Sequence, residues 1–320
     1  MATIGKALSL SVVMPLYNKA HTVAATLASV LAQSVKDYEL IVVDDGSRDG
    51  GDRIVESAQD SRVRLVRQAN AGVSVARNIG IEAARGEWIA LIDADDLWAP
   101  DHLAGLVEAA RQHEIVAVFS NFRLQSRAFR PSIDPGLAAQ RVDDYFAFAL
   151  SHGGYPLSPS AVLIRRDQLV AAGLFAIGVW MGEDIDLWCR LACRGSFFYN
   201  ARPSATYNDL PTHSGVVGDL SRKAAFPHFA GRLPEMIARG ETPARLIATA
   251  KRYANFLLLE YARQLLDRGQ YAEARGVLLQ HCRPALDLKR FAKRLARTTP
   301  VGRRLYEMQR SLNMSRRAAA

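Results

Sequence analysis

A fully apolar run from Trp88 to Ile92 ends abruptly in three acids, Asp93, Asp95 and Asp96, within four residues. An apolar run of this length between helical patterns is typical of a strand buried between two helical layers. Three carboxylates at one strand end repel each other unless a cation neutralises them. Hard oxygen ligands suit Mg²⁺ or Mn²⁺, usually shared with substrate phosphates. We therefore expect a metal site at this strand end, with a solvated turn as the alternative.

The first half of the chain alternates strand and helix patterns, which predicts an α/β fold with a mainly parallel sheet flanked by helices. In such sheets, ligands bind beyond the carboxyl ends of the strands. The first, second and fourth predicted strands end in polar clusters at residues 15–18, 44–47 and 93–96. We therefore expect the three clusters to converge on one edge of the sheet. The strands are predicted at residues 8–16, 39–43, 63–66, 88–92 and 115–122, and the helices at 20–33, 51–58, 73–84 and 100–114.

The pattern becomes helical near residue 220, so we expect a first domain over residues 1–220 and a helical region with a basic tail over residues 221–320. Helices predicted at residues 245–267 and 270–279 resemble one tetratricopeptide-type pair. A single pair cannot form an array that binds peptides, because each repeat needs neighbours to bury its face. The pair is therefore expected to be a packing appendage.

The net charge of +9 is concentrated in the tail, since residues 283–320 contain eleven basic and two acidic residues. The remainder is neutral, so we expect no nucleic-acid partner. Apolar and basic residues alternate over residues 286–297, which indicates a helix that either lies on an anionic membrane or packs on the protein. No apolar run is long enough to cross a bilayer, and no signal-type segment opens the chain. We expect a cytoplasmic protein with contact at the inner face of the cell membrane.

Five blocks resemble, in order, the motifs of the family 2 inverting glycosyltransferases with the GT-A fold. They lie at residues 11–18, 43–50, 70–80, 93–96 and 182–188. Each block alone is a weak signal, whereas five in the same order are a strong one. The resemblance implies metal-dependent, inverting transfer of a sugar from a nucleotide-sugar to a saccharide or lipid-linked acceptor. It also implies synthesis of a bacterial cell-surface polysaccharide or glycolipid.

The resemblance implies that one set of side chains binds the donor, which we expect to be a UDP-sugar. Asp45 would accept a hydrogen bond from the uracil ring, and Tyr17 would offer an aromatic surface. Arg77 would approach the ribose or the diphosphate, although a surface helix arginine is the alternative. The full set of expected donor-binding residues is Pro15, Tyr17, Asn18, Asp45, Arg77 and Asp93.

The resemblance also implies the metal ligands and the general base. Asp95 and Asp96 would face Mn²⁺ or Mg²⁺ bound to the diphosphate, although the acid that binds the metal directly is left open. His213 would approach the metal, with an ordinary surface histidine as the alternative. Asp184 would take the acceptor proton, with Glu183 as the second candidate. Acids in a first helical turn are also favoured by the helix dipole, so capping is the structural alternative for this pair.

Two other functions compete with sugar transfer. Sugar-phosphate nucleotidyltransferases use a related sheet, but they usually carry a glycine-rich loop after the first strand to hold a triphosphate. Residues 17–19 contain no glycine, which disfavours that activity. A non-catalytic GT-A scaffold acting through its helical tail is the other alternative, and the presence of all the expected acids argues against it.

Overall fold

The computed structural model describes residues 9–127, 130–210 and 224–318. Within these ranges, ten strands form one sheet. The strands are Leu10–Leu16 (β1), Glu39–Asp44 (β2), Val63–Arg67 (β3), Trp88–Leu91 (β4), Leu97–Trp98 (β5), Ala117–Leu124 (β6), Arg130–Pro131 (β7), Gln140–Val142 (β8), Val162–Arg165 (β9) and Phe197–Tyr207 (β10). The helices that accompany them are Ala20–Leu31 (α1), Gly51–Ser57 (α2), Val73–Ala83 (α3), His102–Gln112 (α4), Tyr145–Ser151 (α5), Arg166–Ala171 (α6) and Glu183–Ala192 (α7).

Hydrogen bonding orders the strands β3-β2-β1-β4-β9-β6-β10-β5, with β7 beside β6 and β8 beside β10. The first four strands of this order run parallel, as the alternating pattern predicts. β9 is antiparallel to both β4 and β6, and β5 is antiparallel to β10. The predicted α/β fold is confirmed, with a sheet that is parallel through β3, β2, β1 and β4 and mixed beyond them. The change of direction occurs where β9 enters between two earlier strands.

β1 is buried on both faces, which explains its continuous apolar sequence. Val12, Met14 and Leu16 belong to the core cluster that also contains the inward side chains of α1. Val13 points to the opposite face, where a Cβ atom on Gly80 of α3 would lie only 2.4 Å from it. Glycine at position 80 therefore allows α3 to lie directly against β1.

The structure divides into two compact units, Met1–Ser221 and Arg222–Ala320. In the described residues of the second unit, the α-helices are His228–Ala238 (α8), Ile247–Asp267 (α9), Tyr271–Gln280 (α10), Leu288–Arg297 (α11) and Pro300–Ala318 (α12). No described helix combines the length and the apolar character that a membrane span needs.

The core of the second unit forms where α9, α10 and α11 pack together. Apolar side chains from α9 contact Ala274, Val277 and Leu278 of α10. Phe291 of α11 is buried in the same cluster, and Leu295 packs against it. The predicted pairing of α9 with α10 is confirmed, and α11 contributes Phe291 and Leu295 to this core.

Candidate active site

Three polar clusters meet at one edge of the sheet. β1 lies between β2 and β4 and runs parallel to both, so the carboxyl ends of the three strands lie side by side. Leu16 at the end of β1 is in register with Asp44 at the end of β2. The expected convergence of residues 15–18, 44–47 and 93–96 on one edge is observed.

The acidic turn after β4 uses two cations of the chain itself. The guanidinium of Arg77 binds Asp93 Oδ1 at 2.7 Å. The ammonium of Lys19 binds Asp95 Oδ2 at 2.5 Å. These pairs neutralise two of the three carboxylates, and the third, Asp96, has no such cation among the described residues.

Asp96 is fully buried and only half satisfied by hydrogen bonds. Its Oδ1 accepts a hydrogen bond of 2.8 Å from the backbone N–H of Asn208. Its Oδ2 has no hydrogen-bond partner in the part of the chain that the structure describes. Burial, followed by the charges of Asp93 and Asp95, raises the pKa of Asp96 well above its usual range, and the Ser160 hydroxyl and the Asn208 N–H oppose this shift only in part. A bound cation would give Oδ2 of Asp96 a partner and would lower the cost of ionising this buried carboxyl.

These carboxylates fit a cation that is shared with a phosphate ligand. In residues 9–127, 130–210 and 224–318, no group of three His, Cys, Asp or Glu side chains is suited to hold a metal ion. Asp95 and the unsatisfied oxygen of Asp96 offer hard oxygen ligands of the kind that Mg²⁺ takes beside substrate phosphates. The expected ligand His213 lies outside the described residues. The donor set therefore suits a site that phosphate oxygens complete.

Arg77 joins the acidic turn to the start of α7. Besides Asp93, it binds Glu183 Oε1 at 2.9 Å, and its guanidinium carbon lies 5.0 Å from the centroid of the Phe175 ring. The side chain is only 3% exposed, so the alternative of a surface arginine is wrong. Burial opposes its charge, yet the carboxylates of Asp93 and Glu183 raise the pKa of Arg77 above its ordinary value. Arg77 is therefore a permanent charged link between two elements that are distant in sequence.

Asn78, the residue after Arg77 in α3, holds the backbone of Phe175. Asn78 Nδ2 donates a hydrogen bond to the carbonyl of Phe175, and its Oδ1 accepts one from the Phe175 N–H, both at 2.9 Å. The buried Phe175 ring meets Trp188 of α7 edge to face. The Arg77-Asn78 pair thereby positions the chain that leads into α7.

α7 begins after Gly182, whose φ of 78° lies in the left-handed region that glycine adopts at low cost. Asp184 Oδ1 accepts a hydrogen bond of 2.8 Å from the N–H of Ile185. Burial, and then the charge of Glu183, raises the pKa of Asp184 to about 7, with Arg77 opposing. A carboxylate with a pKa near neutrality is suited to accept a proton during a reaction. Helix capping alone does not account for a raised pKa, because the dipole favours the charged form.

Asp45, directly after β2, accepts three hydrogen bonds from the protein itself. Asp45 is buried, and its Oδ1 accepts hydrogen bonds from Gln68 Nε2 at 2.6 Å and from the Ala71 N–H at 2.7 Å. Its Oδ2 accepts one from the Gly72 N–H at 2.9 Å. Asp45 therefore anchors residues 68–72, which lead into α3. The expected hydrogen bond from Asp45 to a uracil ring stays a prediction.

The loop after β1 is tied to the loop after β2 through Asn18. The Asn18 N–H donates to Ser47 Oγ at 3.1 Å, and its side-chain oxygen accepts from the Arg48 N–H at 2.9 Å. Asn18 has a φ of 50°, which asparagine tolerates better than most residues. Pro15 is half-buried and Tyr17 is exposed, so the tyrosine ring is accessible at this edge.

Two residues of the site were not expected from the sequence. Lys19 directly follows the polar cluster at residues 15–18. Because that cluster was expected to lie beside residues 93–96, the sequence did contain a signal for the pairing of Lys19 with Asp95. Asn208 follows β10 and reaches Asp96 across 112 positions of the chain, so no local pattern could indicate it.

Residues 11–147 match the family model described as Glycosyl transferase family 2. Succinoglycan biosynthesis protein ExoO from Rhizobium meliloti (strain 1021) is 43% identical over 108 residues, which cover 33% of this chain and 31% of that protein. UDP-Glc:alpha-D-GlcNAc-diphosphoundecaprenol beta-1,3-glucosyltransferase WfgD from Escherichia coli is 35% identical over 115 residues, which cover 36% of this chain and 46% of that protein. The chain thus spans less than half the length of these curated relatives.

Solved structures with a similar fold cover most of the chain. S. aureus TarS 1–349 in complex with UDP-GlcNAc has a TM-score of 0.67 at 16% identity, covering 90% of both chains. Mannosyltransferase PcManGT from Pyrobaculum calidifontis, in complex with GDP-Man and Mn²⁺, has a TM-score of 0.60 at 21% identity, covering 95% of this chain and 85% of that one. At these identities the likeness establishes the fold, which is of the GT-A type.

Proposed function

We propose that the chain is a family 2 glycosyl transferase, the family whose model matches residues 11–147, and that it transfers a sugar from a nucleotide-sugar to an acceptor hydroxyl, with inversion at the anomeric carbon. UDP is the proposed nucleotide, since the name of WfgD contains UDP-Glc and TarS was solved with UDP-GlcNAc. The name of ExoO refers to succinoglycan biosynthesis, which supports a role in the synthesis of bacterial cell-surface polysaccharide or glycolipid.

One observation carries this proposal: Arg77 links Asp93, in the turn after β4, to Glu183, at the start of α7. The carboxyl ends of parallel strands are where a nucleotide ligand binds in this type of sheet. The link brings a second acidic group, with the near-neutral Asp184, to the same region. Donor binding and proton removal can therefore occur in one site.

Asp184 is the proposed general base. An acceptor hydroxyl is a poor nucleophile until its proton is removed, and a pKa of about 7 suits that task. Asp184 takes the proton while the acceptor oxygen bonds to the anomeric carbon. The bond from that carbon to the diphosphate oxygen breaks, and its electron pair leaves with the diphosphate. Glu183 is the second candidate, although its Oε1 is already bound to Arg77.

Asp95 and Asp96 are the proposed ligands of Mn²⁺ or Mg²⁺, with His213 as a further candidate. The unsatisfied Oδ2 of Asp96 supports this role, and it agrees with the Mn²⁺ that is bound in the structure of PcManGT. When bound there, the cation would stabilise the negative charge that develops on the leaving diphosphate.

The donor nucleotide is proposed to bind beside the loop after β1. Tyr17 offers its exposed ring to the base, and Pro15 and Asn18 shape the pocket around it. Asp45 contributes through the anchored residues 68–72 and through the proposed hydrogen bond to uracil. Arg77 acts here by holding Asp93, which we propose to face the ribose.

The acceptor is proposed to be a saccharide or a lipid-linked saccharide. The name of WfgD includes a diphosphoundecaprenol group, which supports a lipid-linked class. Such an acceptor would be met at the inner face of the cell membrane. Cytoplasmic location with peripheral contact through the basic tail is therefore part of the proposal, and no nucleic acid is proposed as a partner.

The two competing functions have less support. A sugar-phosphate nucleotidyltransferase would need donors for a triphosphate after β1, where Lys19 is instead paired with Asp95. A non-catalytic scaffold would have no use for a half-buried carboxylate with a pKa of about 7. Sugar transfer accounts for this carboxylate as the general base.

A calorimetric panel of UDP, GDP, dTDP and CDP, each with and without Mn²⁺, tests the proposal. UDP should bind most tightly, and its affinity should rise when Mn²⁺ is present. The preferred nucleotide then selects the sugar nucleotides for a screen of donor hydrolysis by UDP release.

The control is UTP with a sugar phosphate under the same conditions. Pyrophosphate release from that mixture would support the nucleotidyltransferase instead. Binding of none of the nucleoside diphosphates would support the non-catalytic scaffold and overturn the proposed function.

A further inference from the structure

The last helix, α12, has two faces of opposite character. On one face, Tyr306 lies under the guanidinium of Arg297, which is 3.6 Å from its ring centroid. Arg303 on the same side lies 3.7 Å from the Tyr271 ring centroid and donates a hydrogen bond to the carbonyl of Thr298. These contacts fix one side of the helix to the rest of the second unit.

Gly302, in the first turn of α12, lets this helix approach the end of α11 closely. A Cβ atom on Gly302 would lie only 2.0 Å from the carbonyl oxygen of Ala296, so no larger residue fits there without movement. The rotational position of α12 is therefore set at its first turn, and the side away from Gly302 and Tyr306 faces solvent.

The solvent-facing side of α12 carries a row of apolar side chains, with Arg304, Glu307 and Gln309 also exposed. Val301, Leu305 and Met308 are 70%, 57% and 58% exposed, and together they form the α12 stripe. Their spacing of four and three residues puts them on one face of a helix. Arg304 is exposed beside them, and Leu312 continues the spacing in the sequence. A row of exposed apolar side chains on the outer face is the reverse of the usual amphipathic arrangement.

α11 differs from α12 in this respect. The sequence pattern of α11 favoured either membrane contact or packing, and the structure buries Phe291 in the core of the second unit. Arg294 binds Glu260 at 2.5 Å, and Arg297 binds Asp267 at 2.7 Å. Phe291 and Leu295 of α11 therefore pack on the protein and are not available to a membrane, whereas Leu288, the first residue of α11, is 67% exposed.

We propose that α12 lies on an anionic membrane surface, with the α12 stripe inserted among the lipids and the neighbouring Arg304 at the headgroups. The charge of residues 283–320, eleven basic against two acidic residues, selects an anionic partner. A second copy of the chain would bring two such positive segments together, which repulsion opposes. A nucleic acid would leave the apolar stripe without a partner. This surface gives the proposed membrane contact a location, and vesicle binding is measured without any sugar transfer.

Sedimentation of the full chain with vesicles tests this surface. Vesicles of phosphatidylcholine alone are compared with vesicles containing equal parts of phosphatidylglycerol. The chain should sediment with the anionic vesicles and remain largely in solution with the neutral ones. The triple variant Val301→Ser/Leu305→Ser/Met308→Ser should lose at least about tenfold in partitioning, because three apolar side chains no longer leave water.

A matched variant removes three equally exposed apolar side chains elsewhere: Val170→Ser/Ile177→Ser/Leu279→Ser. It should sediment like the unmodified chain. Circular dichroism and UDP binding of the α12 variant should be unchanged, which separates a failed surface from a failed fold or a failed donor site. Because all three replaced side chains are solvent-facing, the variant should fold normally.

Equal sedimentation of the α12 variant and the unmodified chain would overturn the proposal, as would equal binding to neutral and anionic vesicles. A dimer in light scattering that the α12 variant loses would identify a second copy of the chain as the occupant instead. If the unmodified chain bound no vesicles, and both it and the α12 variant were retained on a DNA or RNA column, the basic residues would bind nucleic acid instead of a membrane.

Discussion

Two acidic clusters at the same edge of the sheet look alike in the sequence and differ in the structure. Asp44 ends β2 and Asp45 follows it, and Asp93 to Asp96 follow β4. Asp45 receives three hydrogen bonds from a neighbouring loop, so its charge is satisfied by the protein. Asp96 is equally buried and keeps one oxygen without a partner in the described residues. The first cluster chiefly builds the loop before α3, whereas the second has a buried oxygen left for a cation.

The second cluster also extends further than its sequence suggests. Through Arg77 it is joined to Glu183 and to the adjacent Asp184, whose pKa is raised to about 7. Perturbed carboxylates of this kind are concentrated at functional sites. A difference in hydrogen-bond satisfaction therefore separates structural acids from candidate functional acids where composition does not.

The largest effect is expected from Asp184→Asn. Because the amide cannot accept the acceptor proton, UDP release from the donor should fall about 10²- to 10⁴-fold. UDP affinity with Mn²⁺ should be unchanged, since no donor-binding role is proposed for Asp184. Steady-state kinetics and calorimetry measure the two quantities.

The exposed, ion-paired Asp167 on α6 offers the control for this substitution. Asp167→Asn should leave UDP release unchanged. If Asp184→Asn kept a rate within about threefold of the unmodified chain, its role as general base would be wrong.

The matched substitutions Asp45→Asn and Asp96→Asn test the comparison directly. In Asp45→Asn, the new amide hydrogens must face an N–H donor, because both carboxylate oxygens accept hydrogen bonds from N–H groups. The free energy of unfolding should fall by about 2 to 4 kcal/mol. In Asp96→Asn, the amide can occupy the position of the unsatisfied oxygen, and the loss should stay below about 1 kcal/mol. Urea unfolding measures both.

Equal losses of stability in the two variants would contradict the distinction between the clusters. Asp52→Asn, in a partly exposed pair with Arg67 at the surface, serves as the control for a general effect of charge removal. It should change the free energy of unfolding by less than about 1 kcal/mol.

Much of the first unit was predictable because its signals are local. The apolar runs of β1, β2 and β4 and the acidic or polar residues that end them are contiguous in the sequence. Their convergence on one edge follows from parallel pairing, which the alternation with helices indicated. The antiparallel entry of β9 was not predictable, because strand direction depends on contacts between distant segments.

The partners of the site residues were less accessible to sequence reasoning. Arg77 was assigned to the donor with a surface role as the alternative; the structure excludes the surface role by burying it between Asp93 and Glu183, and the donor role stays a prediction. The two acids are 90 positions apart in the sequence, so only the folded sheet brings them to one guanidinium. The sequence of α11 likewise fitted either a membrane surface or the protein core. Only the packing of Phe291 in the core of the second unit distinguished the two.

Asp96→Asn should also weaken the binding of UDP in the presence of Mn²⁺. Removal of a residue that only hydrogen-bonds to a metal ligand lowers metal affinity by about 10- to 100-fold. Removal of a proposed direct ligand should lower UDP affinity in Mn²⁺ by at least as much. UDP binding without a divalent cation should change little, because no direct contact between Asp96 and the nucleotide is proposed. Calorimetry with and without Mn²⁺ measures the difference. An unchanged response to Mn²⁺ would remove Asp96 from the proposed metal site.

The pH dependence of turnover gives a smaller effect and tests the coupling within the second cluster. A base must be deprotonated to act, so turnover should rise with pH and level off above about 7, falling about tenfold per unit below it. Burial and the charge of Glu183 raise the pKa of Asp184, and Arg77 lowers it. The other titratable groups coupled to Asp184 are Asp93, Tyr145, Cys189 and Tyr207.

Glu183→Gln separates the two candidate bases by the direction of this profile. The substitution removes a negative charge next to Asp184, so the pKa of Asp184 should fall and the rise in turnover should move to lower pH. Arg77 keeps Asp93 as its partner, and the glutamine oxygen can still accept its hydrogen bond, which preserves the link. If Glu183 were the base, the same substitution would abolish turnover at every pH. A profile that does not move would mean that the two neighbouring acids are not coupled, and the near-neutral pKa of Asp184 would then need burial alone as its cause.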